Sequence, residues 1–469
     1  MKRINRRQFL RNLGIAAAGL SGSLGVLQLS RARAVPRRDR PNFVFILIDD
    51  LGWRDVGCYG STFYETPNID RLAREGMRFT QGYAACPVCS PTRASIMTGR
   101  YPARLHLTDW IPGHKRKNPK LLVPKFNQQL PLKEITIAEA LKPAGYVSAS
   151  IGKWHLGKEP YYPEKQGFDL NFGGTHQGHP PSYFFPYKIV NIDRGEQGEY
   201  LTDRLTDEAE KFIEANKDRP FFLYLTHYAV HTPLQAKKEK IAKYKAKVKP
   251  GQLQNNPVYA AMIESVDESV GRIMRKLDQL GLTENTVVFF MSDNGGLAGV
   301  TSNAPLRAGK GTLYEGGIRE PWIVRWPGVV QPGSVCDVPV ISTDFFPTIL
   351  EIAGVPLPKG VVLDGISNVP LLRQTGTINR KALFWHYPHY HRTTPAGAIR
   401  YGDYKLIEYY EDNHVELYNL KEDLSEKNDL AQKMPEKAAQ LRKMFHDWLK
   451  EVDAQMPTPN PNYKPPKKA

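Results

Sequence analysis

Four apolar runs, each ending in a polar cluster, predict an α/β protein built on a large, mostly parallel sheet. The runs cover residues 43–48, 145–151, 221–226 and 286–291, and strands covered on both faces read as unbroken apolar stretches. Helical patterns at 66–76, 202–215 and 257–280 alternate with them, as crossover helices between parallel strands do. From about residue 371 the pattern changes to short strands and tight turns, which predicts a smaller C-terminal α+β subdomain. With 469 residues, 41% hydrophobic and 24% charged, the chain suffices for two unequal parts, 35–370 and 371–469.

Residues 1–34 stand apart from this plan. Arg6-Arg7-Gln8-Phe9-Leu10 is a twin-arginine pattern, a weakly apolar run follows, and Ala32-Arg33-Ala34 offers a small-residue cleavage site. The run carries Gly, Ser and Gln and falls short of the ~20 solidly apolar residues of a spanning helix. It reads as a signal for the Tat export machinery, with no stable membrane anchor, and so predicts a periplasmic or secreted protein. Removing the segment's seven cations lowers the formal charge from +16 to +9. A basic exported chain suits polyanions, and charge alone does not choose among sulfated glycans, anionic lipid and nucleic acid. Seven lysines crowd between residues 237 and 249, as a solvated face or as a patch that steers glycans. Four cysteines, at 58, 86, 89 and 336, are too few for a disulfide framework.

Taken in order, the strand ends carry the chemistry. The first runs into Asp49-Asp50 and the second into Gly152-Lys153-Trp154-His155. The third leads to His227 and His231, and the fourth into Ser292-Asp293-Asn294-Gly295. Ligands of open α/β sheets bind beyond the carboxyl ends of the strands, so these clusters are expected to meet. In the C-terminal part, 382–387, 398–409 and 415–420 read as strands, with turns at Gly402-Asp403 and Asp412-Asn413. Residues 435–452 read as a closing amphipathic helix, and the Pro- and Lys-rich tail after Met456 as loose.

The stretch from Cys89 to Arg100 has a helix start and stop written into it. Ser90 suits the N-cap, Pro91 the first helical position and Gly99 the stop. Cys89 then precedes a helix N-terminus, where an anion is favoured, with Arg93 four residues on. Cys86-Pro87-Val88-Cys89 also matches a C-x-x-C redox motif, which leaves an oxidoreductase open. Asp49, Asp50, Asp293 and Asn294 offer only oxygen, the ligand set of a hard cation. The glycine-rich stretch around Lys310 lacks the spacing of a nucleotide-binding loop.

Cys-x-Pro-x-Arg followed by Thr-Gly-Arg resembles the signature of type I, formylglycine-dependent sulfatases. The resemblance continues through Gly152-Lys153-Trp154-His155-Leu156-Gly157, His231-Thr232-Pro233, Gly309-Lys310-Gly311 and Glu416-Leu417-Tyr418-Asn419-Leu420, nearly the whole chain beyond residue 34. It looks like the arylsulfatase-like carbohydrate sulfatases of bacteria. It implies an alkaline-phosphatase-like fold, with a large mixed sheet between helices. It also implies that a formylglycine-generating enzyme oxidises Cys89 to formylglycine (3-oxoalanine), whose hydrate is the nucleophile. The metal would be Ca²⁺, with Mg²⁺ second, held by Asp49, Asp50, Asp293, Asn294 and the modified Cys89. Arg93, Lys153 and Lys310 would face the sulfuryl charge, His231 and Lys310 would protonate the leaving oxygen, and His155 would take the proton of the second hydroxyl.

Substrate contacts are expected from loops outside the motif. Candidates are His176 and His179, His386 and His389 within 385–391, and Asp109 beside Trp110, because sugars pack on aromatic faces with donors at their rims. The segment 385–391 is expected to reach over the strand ends and wall the pocket. The expected substrate is a sulfated glycan, with a lean to galactose or N-acetylgalactosamine sulfates, or a small sulfate ester, and no nucleic acid. A phosphodiester or phosphonate hydrolase of the same superfamily and a non-catalytic sulfated-glycan-binding protein are the alternatives.

Overall fold

The computed structural model describes residues 40–465, and the twin-arginine segment lies outside the described residues. In chain order the first strands are β1 (Asn42–Ile48), β2 (Met77–Tyr83), β3 (Leu121–Leu122), β4 (Val147–Gly152) and β5 (Leu170–Phe172). They are followed by β6 (Phe221–Thr226), β7 (Thr286–Ser292), β8 (Arg319–Arg325), β9 (Ser334–Cys336) and β10 (Val340–Ile341). Nine of these form the large sheet, in the order β10-β2-β8-β7-β1-β6-β4-β5 with β9 beside β2. Only β8 runs against its neighbours; the other pairings are parallel.

Alternation along β1 shows why the strand sits inside the sheet. Val44, Ile46 and Ile48 join one core; Phe43, Phe45 and Leu47 join the other. The first core is closed by α1 (Pro67–Glu75), α3 (Leu201–Ala215) and α5 (Pro257–Gln279), with α4 (Lys238–Lys245) packed on α5. The second is closed by α2 (Cys89–Thr98) and α6 (Phe345–Ala353). At about 25 cal/mol per Å² of apolar surface removed from water, a strand covered twice is a strong organiser.

A second, antiparallel sheet follows, β11 (Leu383–Tyr387), β12 (Ala396–Tyr401), β13 (Tyr404–Tyr409) and β14 (Val415–Asn419). Gly402 turns at φ 58° and Asn413 at φ 58°, both at the expected turns. Helix α7 (Pro435–Glu451) lays Leu441, Phe445 and Trp448 on this sheet, in a core shared with Tyr83, Val88 and Ile341 of the large part. Trp385 Nε1 donates to the Ala84 carbonyl at 2.8 Å. Lys405, fully buried, holds Glu315 at 3.0 Å and Glu426 at 2.9 Å. The tail is not loose: β15 (Thr458–Pro459) pairs with β3, and Asn460 N–H donates to the Lys120 carbonyl at 3.0 Å.

Removing this cation leaves Glu426 without its ion partner and Glu315 with Arg319 alone. Lys405→Ala is expected to cost ~3–5 kcal/mol of stability, read as a lowered denaturation midpoint by circular dichroism. An unchanged midpoint would show that this ion cluster does not hold the two sheets together.

Candidate active site

Register alone brings the acids together. Ile48 of β1 is paired with Ser292 of β7, so Asp49-Asp50 and Asp293-Asn294 leave adjacent parallel strands side by side. Asp50 takes a left-handed φ of 63°, a conformation that costs energy in a non-glycine residue and concentrates at functional sites, and its N–H reaches Asp293 Oδ1 at 3.3 Å. On the other side, β4 ends at Gly152, whose φ is 105° and where a Cβ would lie 1.9 Å from the Thr226 carbonyl. Only glycine lets Lys153 turn into the site there. His227, at the end of β6, is buried away from it, 2.9 Å from Ser269 Oγ.

Helix α2 starts two residues earlier than the capping pattern implies. Cys89 is already helical and Val88 is the N-cap, while Ser90 Oγ accepts from Ile111 N–H at 3.2 Å instead of capping. Gly99 stops the helix at φ 69°, as expected. Cys89 Sγ lies 3.3 Å from His155 Nδ1. His155 Nε2 donates to the Ile111 carbonyl at 2.6 Å, so Nδ1 is the acceptor facing residue 89. Cys86 is a separate matter. It is buried, unbridged and 3.9 Å from the Thr108 carbonyl, and burial pushes its thiol well above the usual range. That is the setting of an inert packing thiol, not of a redox pair.

Each acid has its own cation. Lys153 Nζ is 2.6 Å from Asp49, Lys310 Nζ is 2.6 Å from Asp50, and Arg93 binds Asp293 at 2.8 Å. Arg93 is fully buried and also donates to the Lys153 carbonyl at 2.7 Å. His231 Nε2 stands 3.6 Å from Asp50, and its Nδ1 donates to the Thr232 carbonyl at 2.7 Å. Burial pushes Asp49 up, to about 8, with Lys153 opposing and the neighbouring carboxylates adding to the rise. Asp50 goes the other way. Burial would raise it, but Lys310 and His231 hold it well below the usual carboxylate range. Burial, aided by Lys153, keeps His155 neutral far below its usual value, and burial with Lys310 takes His231 down to about 3. Burial also raises the Cys89 thiol, against Lys153 and Lys310.

A hard cation fits this cluster. Ligand oxygens of Asp49, Asp50 and Asp293 lie within 4.8 Å of one another. Asp49 Oδ1 and Asn294 Oδ1 are buried without a hydrogen-bond partner, a state that normally demands one. Asn294 Nδ2 donates to Asp50 Oδ1 at 2.8 Å, which fixes the amide with its oxygen free. Three carboxylates already balance Arg93, Lys153 and Lys310, so a dication leaves the site positive and ready for an anion.

Beyond these groups opens a cavity of ≈ 460 Å³, lined by Asp50, Cys89, His155, His231 and Lys310. Of the expected substrate contacts only His179 lines it, its ring parallel to that of His231 at 5.9 Å. His176 instead packs on Tyr162 and accepts from its hydroxyl at 2.9 Å. His386 and His389 are core residues. His386 is held by the Tyr410 hydroxyl at 2.8 Å and the Gln455 carbonyl at 2.9 Å, and His389 by Thr108 Oγ1 at 2.8 Å. The expectation failed because these ring nitrogens do find partners inside. Asp109 is buried as well, accepting from Tyr387 O–H at 2.8 Å and Trp110 N–H at 2.9 Å. Trp110 and His391 from two of the named segments, with His114 and Arg392 from just beyond them, line the cavity instead. Strand β11 ends at Tyr387, so the residues free to face the site are those beyond it. The lysine run is a solvated helical face whose cations are largely taken, Lys240 by Glu264 and Glu268, Lys243 and Lys247 by Glu65.

Fold and site together define a hydrolase of the alkaline-phosphatase-like class, with an oxygen-ligand metal site beside a residue at a helix start. Comparison narrows the class. The sulfatase family profile matches residues 41–355, and the profile of the N-sulphoglucosamine sulphohydrolase C-terminal domain matches 309–455. A sulfatase of Formosa agariphila is 34% identical over 87% of this chain and 89% of its own. N-acetylgalactosamine-6-sulfatase of Rattus norvegicus is 36% identical over 78% and 71%. Among solved structures, Ps i-CgsB in complex with k-i-k-neocarrahexaose superposes at a TM-score of 0.76, with 32% identity over 87% of this chain and 93% of that one. The phosphonate monoester hydrolase of Agrobacterium radiobacter shares the fold, at a TM-score of 0.68 and 19% identity over 88% of this chain and 95% of that one. The chain belongs to the sulfatase family and is a sulfuric ester hydrolase, and the family implies a formylglycine-type modification and a divalent metal.

If the two orphaned oxygens belong to that metal, Asp49→Ala and Asn294→Ala are each expected to strip it from the purified protein. Elemental analysis checks this; a full equivalent of metal retained in both variants would place the ion elsewhere.

Proposed function

We propose that this protein hydrolyses sulfate esters on a carbohydrate, with residue 89, oxidised from cysteine to formylglycine, as the nucleophilic centre and Ca²⁺ as the metal. The observation that carries the reading is the thiol of Cys89 at the first turn of α2, 3.3 Å from an imidazole acceptor and on the floor of the cavity. Formylglycine supplies a hydrated aldehyde as nucleophile, and the dication supplies a Lewis acid beside it. Asp49, Asp50, Asp293 and Asn294 are the residues to hold that ion.

The rest is the work of this chain's own side chains. Lys310 lines the cavity and faces the sulfate oxygens directly, while Arg93 and Lys153 lie behind the acids and fix their charge and direction. His155, neutral and anchored through Nε2, takes a proton at Nδ1. Lys310, paired with Asp50 and lining the cavity, is the donor placed to protonate the leaving oxygen. His231, neutral at rest with its proton on Nδ1, lines the cavity and presents Nε2 as an acceptor beside Asp50.

Relatives named for N-acetylgalactosamine and a neighbour holding k-i-k-neocarrahexaose support a carbohydrate of galactose or N-acetylgalactosamine type. Trp110 and His179 supply the ring faces such a sugar needs. The twin-arginine segment supports export through the Tat machinery to the periplasm or beyond, after a formylglycine-generating enzyme has acted on Cys89. A phosphonate or phosphodiester ester is the competing substrate, since the fold is shared with a phosphonate monoester hydrolase.

Cys89→Ala is expected to lower kcat/KM for a sulfate ester by at least about 10³-fold, and Cys86→Ala by less than about tenfold. Steady-state kinetics, with a phosphonate monoester run alongside under identical conditions, checks both. Cys89→Ala activity near wild type, or faster phosphonate than sulfate turnover, contradicts the reading.

A further inference from the structure

Two basic runs lie in this chain, and the structure treats them differently. Of the seven lysines of 237–249, four are paired: Lys237 with Asp203, and Lys240, Lys243 and Lys247 with Glu65, Glu264 and Glu268. The other run starts at the cavity wall. From Trp110 to Lys133 there are six cations and no Asp or Glu, and Lys115, Arg116 and Lys117 are exposed. Among the described residues none of these three forms an ion pair with a carboxylate.

The segment is held in place rather than hanging free. At its start Asp109 accepts from the N–H groups of Trp110 at 2.9 Å and His114 at 3.4 Å. At its end Asn118 exchanges two hydrogen bonds with the Lys464 backbone, at 2.7 and 2.9 Å, and Leu121 N–H donates to Tyr390 O–H at 3.0 Å. Midway, Arg116 lies over the Tyr390 ring at 4.5 Å. The His114 and His391 rings are 4.4 Å apart, and both line the cavity together with Arg392. Burial lowers both imidazoles, and the nearby Arg392 and Lys310 charges add to it. His114 lines the cavity, and Lys115, Arg116 and Lys117 follow it directly and are exposed, so these three cations lie within ~10 Å of chain from the cavity lining.

We propose that Lys115, Arg116 and Lys117, continuing from Arg392, form a second anion-binding subsite for a multiply sulfated carbohydrate strand whose terminal or internal sulfate occupies the cavity. The proposal rests on the sulfate ester reading of the cavity. A strand leaving the cavity past Arg392 and His114 meets this strip next, and cations without protein partners attract repeating anions at long range. An anionic membrane is the other surface such cations suit, with Leu122 and Val123 exposed nearby. The continuity with the cavity favours the glycan.

The probe is fluorescein-labelled dextran sulfate, with binding read by anisotropy between about 50 and 200 mM salt. The triple variant Lys115→Gln, Arg116→Gln, Lys117→Gln is expected to lose about tenfold or more in affinity at low salt. Its slope of log K against log salt should fall by about 2, three contacts at ~0.7 each. The charge-matched control Lys421→Gln, Lys427→Gln, Lys433→Gln should lose less than about twofold. Both triples should cleave a small aryl sulfate with wild-type kcat and KM, which also shows that they fold. Equal losses in the two triples, or none in the first, overturn the subsite. So does a strip variant that keeps dextran sulfate but loses binding to phosphatidylglycerol vesicles. Failure of wild-type protein to cleave any sulfate ester would instead sink the reading of the cavity, and the binding assay does not depend on it.

Discussion

Three carboxylates buried within a few ångströms are the constraint around which this fold is arranged. Removing an ion from water costs several kcal/mol even after relaxation, and neighbouring like charges add to it. Asp49, Asp50 and Asp293 persist because Lys153, Lys310 and Arg93 each answer one of them. Those cations come from three distant places in the chain, the end of β4, a glycine-rich loop and the face of α2. The large sheet is what makes their meeting repeatable. Parallel register between β1 and β7 sets the acids, and the close crossing at Gly152 sets Lys153. The helix that carries Arg93 also carries Cys89, so charge balance and the position of residue 89 are one arrangement.

The C-terminal part belongs to this arrangement although it supplies none of the charged cluster. Its sheet is fastened to the large one by a shared apolar core, by Trp385 and by the buried Lys405 with its two glutamates. That anchoring fixes where β11 ends, and the residues just past its end, His391 and Arg392, become wall and rim of the cavity. Gly311, at φ 81°, leaves room for His391, since a Cβ there would fall 2.0 Å from the ring. The cavity is therefore lined by Asp50, Cys89, His155 and Lys310 from one part and by His391 and Arg392 from the other.

The parts legible in the sequence are those where a single physical rule dominates. β1, β6 and β7 were readable because a strand covered on both faces has no polar side, β4 was readable although Ser148 and Ser150 share one of its faces, and the strand-end clusters converge as open sheets require. β2 and β8 were not. Arg319, Glu320 and Arg325 are buried in β8, two of them paired with Glu315 and Glu75, so the strand does not look apolar. Pro321 also argues against a strand, yet it sits opposite the irregularity between Phe79 and Gly82 of β2, where no ladder partner is needed. Asp49, Asp50, Asp293, Cys89, His155, His231 and Lys310 were singled out because their spacing matches a known motif, and the structure brings them to one place. His386 and His389 were misjudged because composition shows how many imidazoles a segment holds, not whether Tyr410, Gln455 and Thr108 will satisfy them.

Everything in this account turns on what residue 89 becomes. Mass spectrometry of the proteolytic peptide containing Cys89, from protein purified in active form, tests it most directly. The account predicts a peptide lighter than the encoded one by about 18 Da, the change from cysteine to formylglycine, in at least the active fraction. A fully active preparation in which Cys89 is an intact, alkylatable thiol would contradict it.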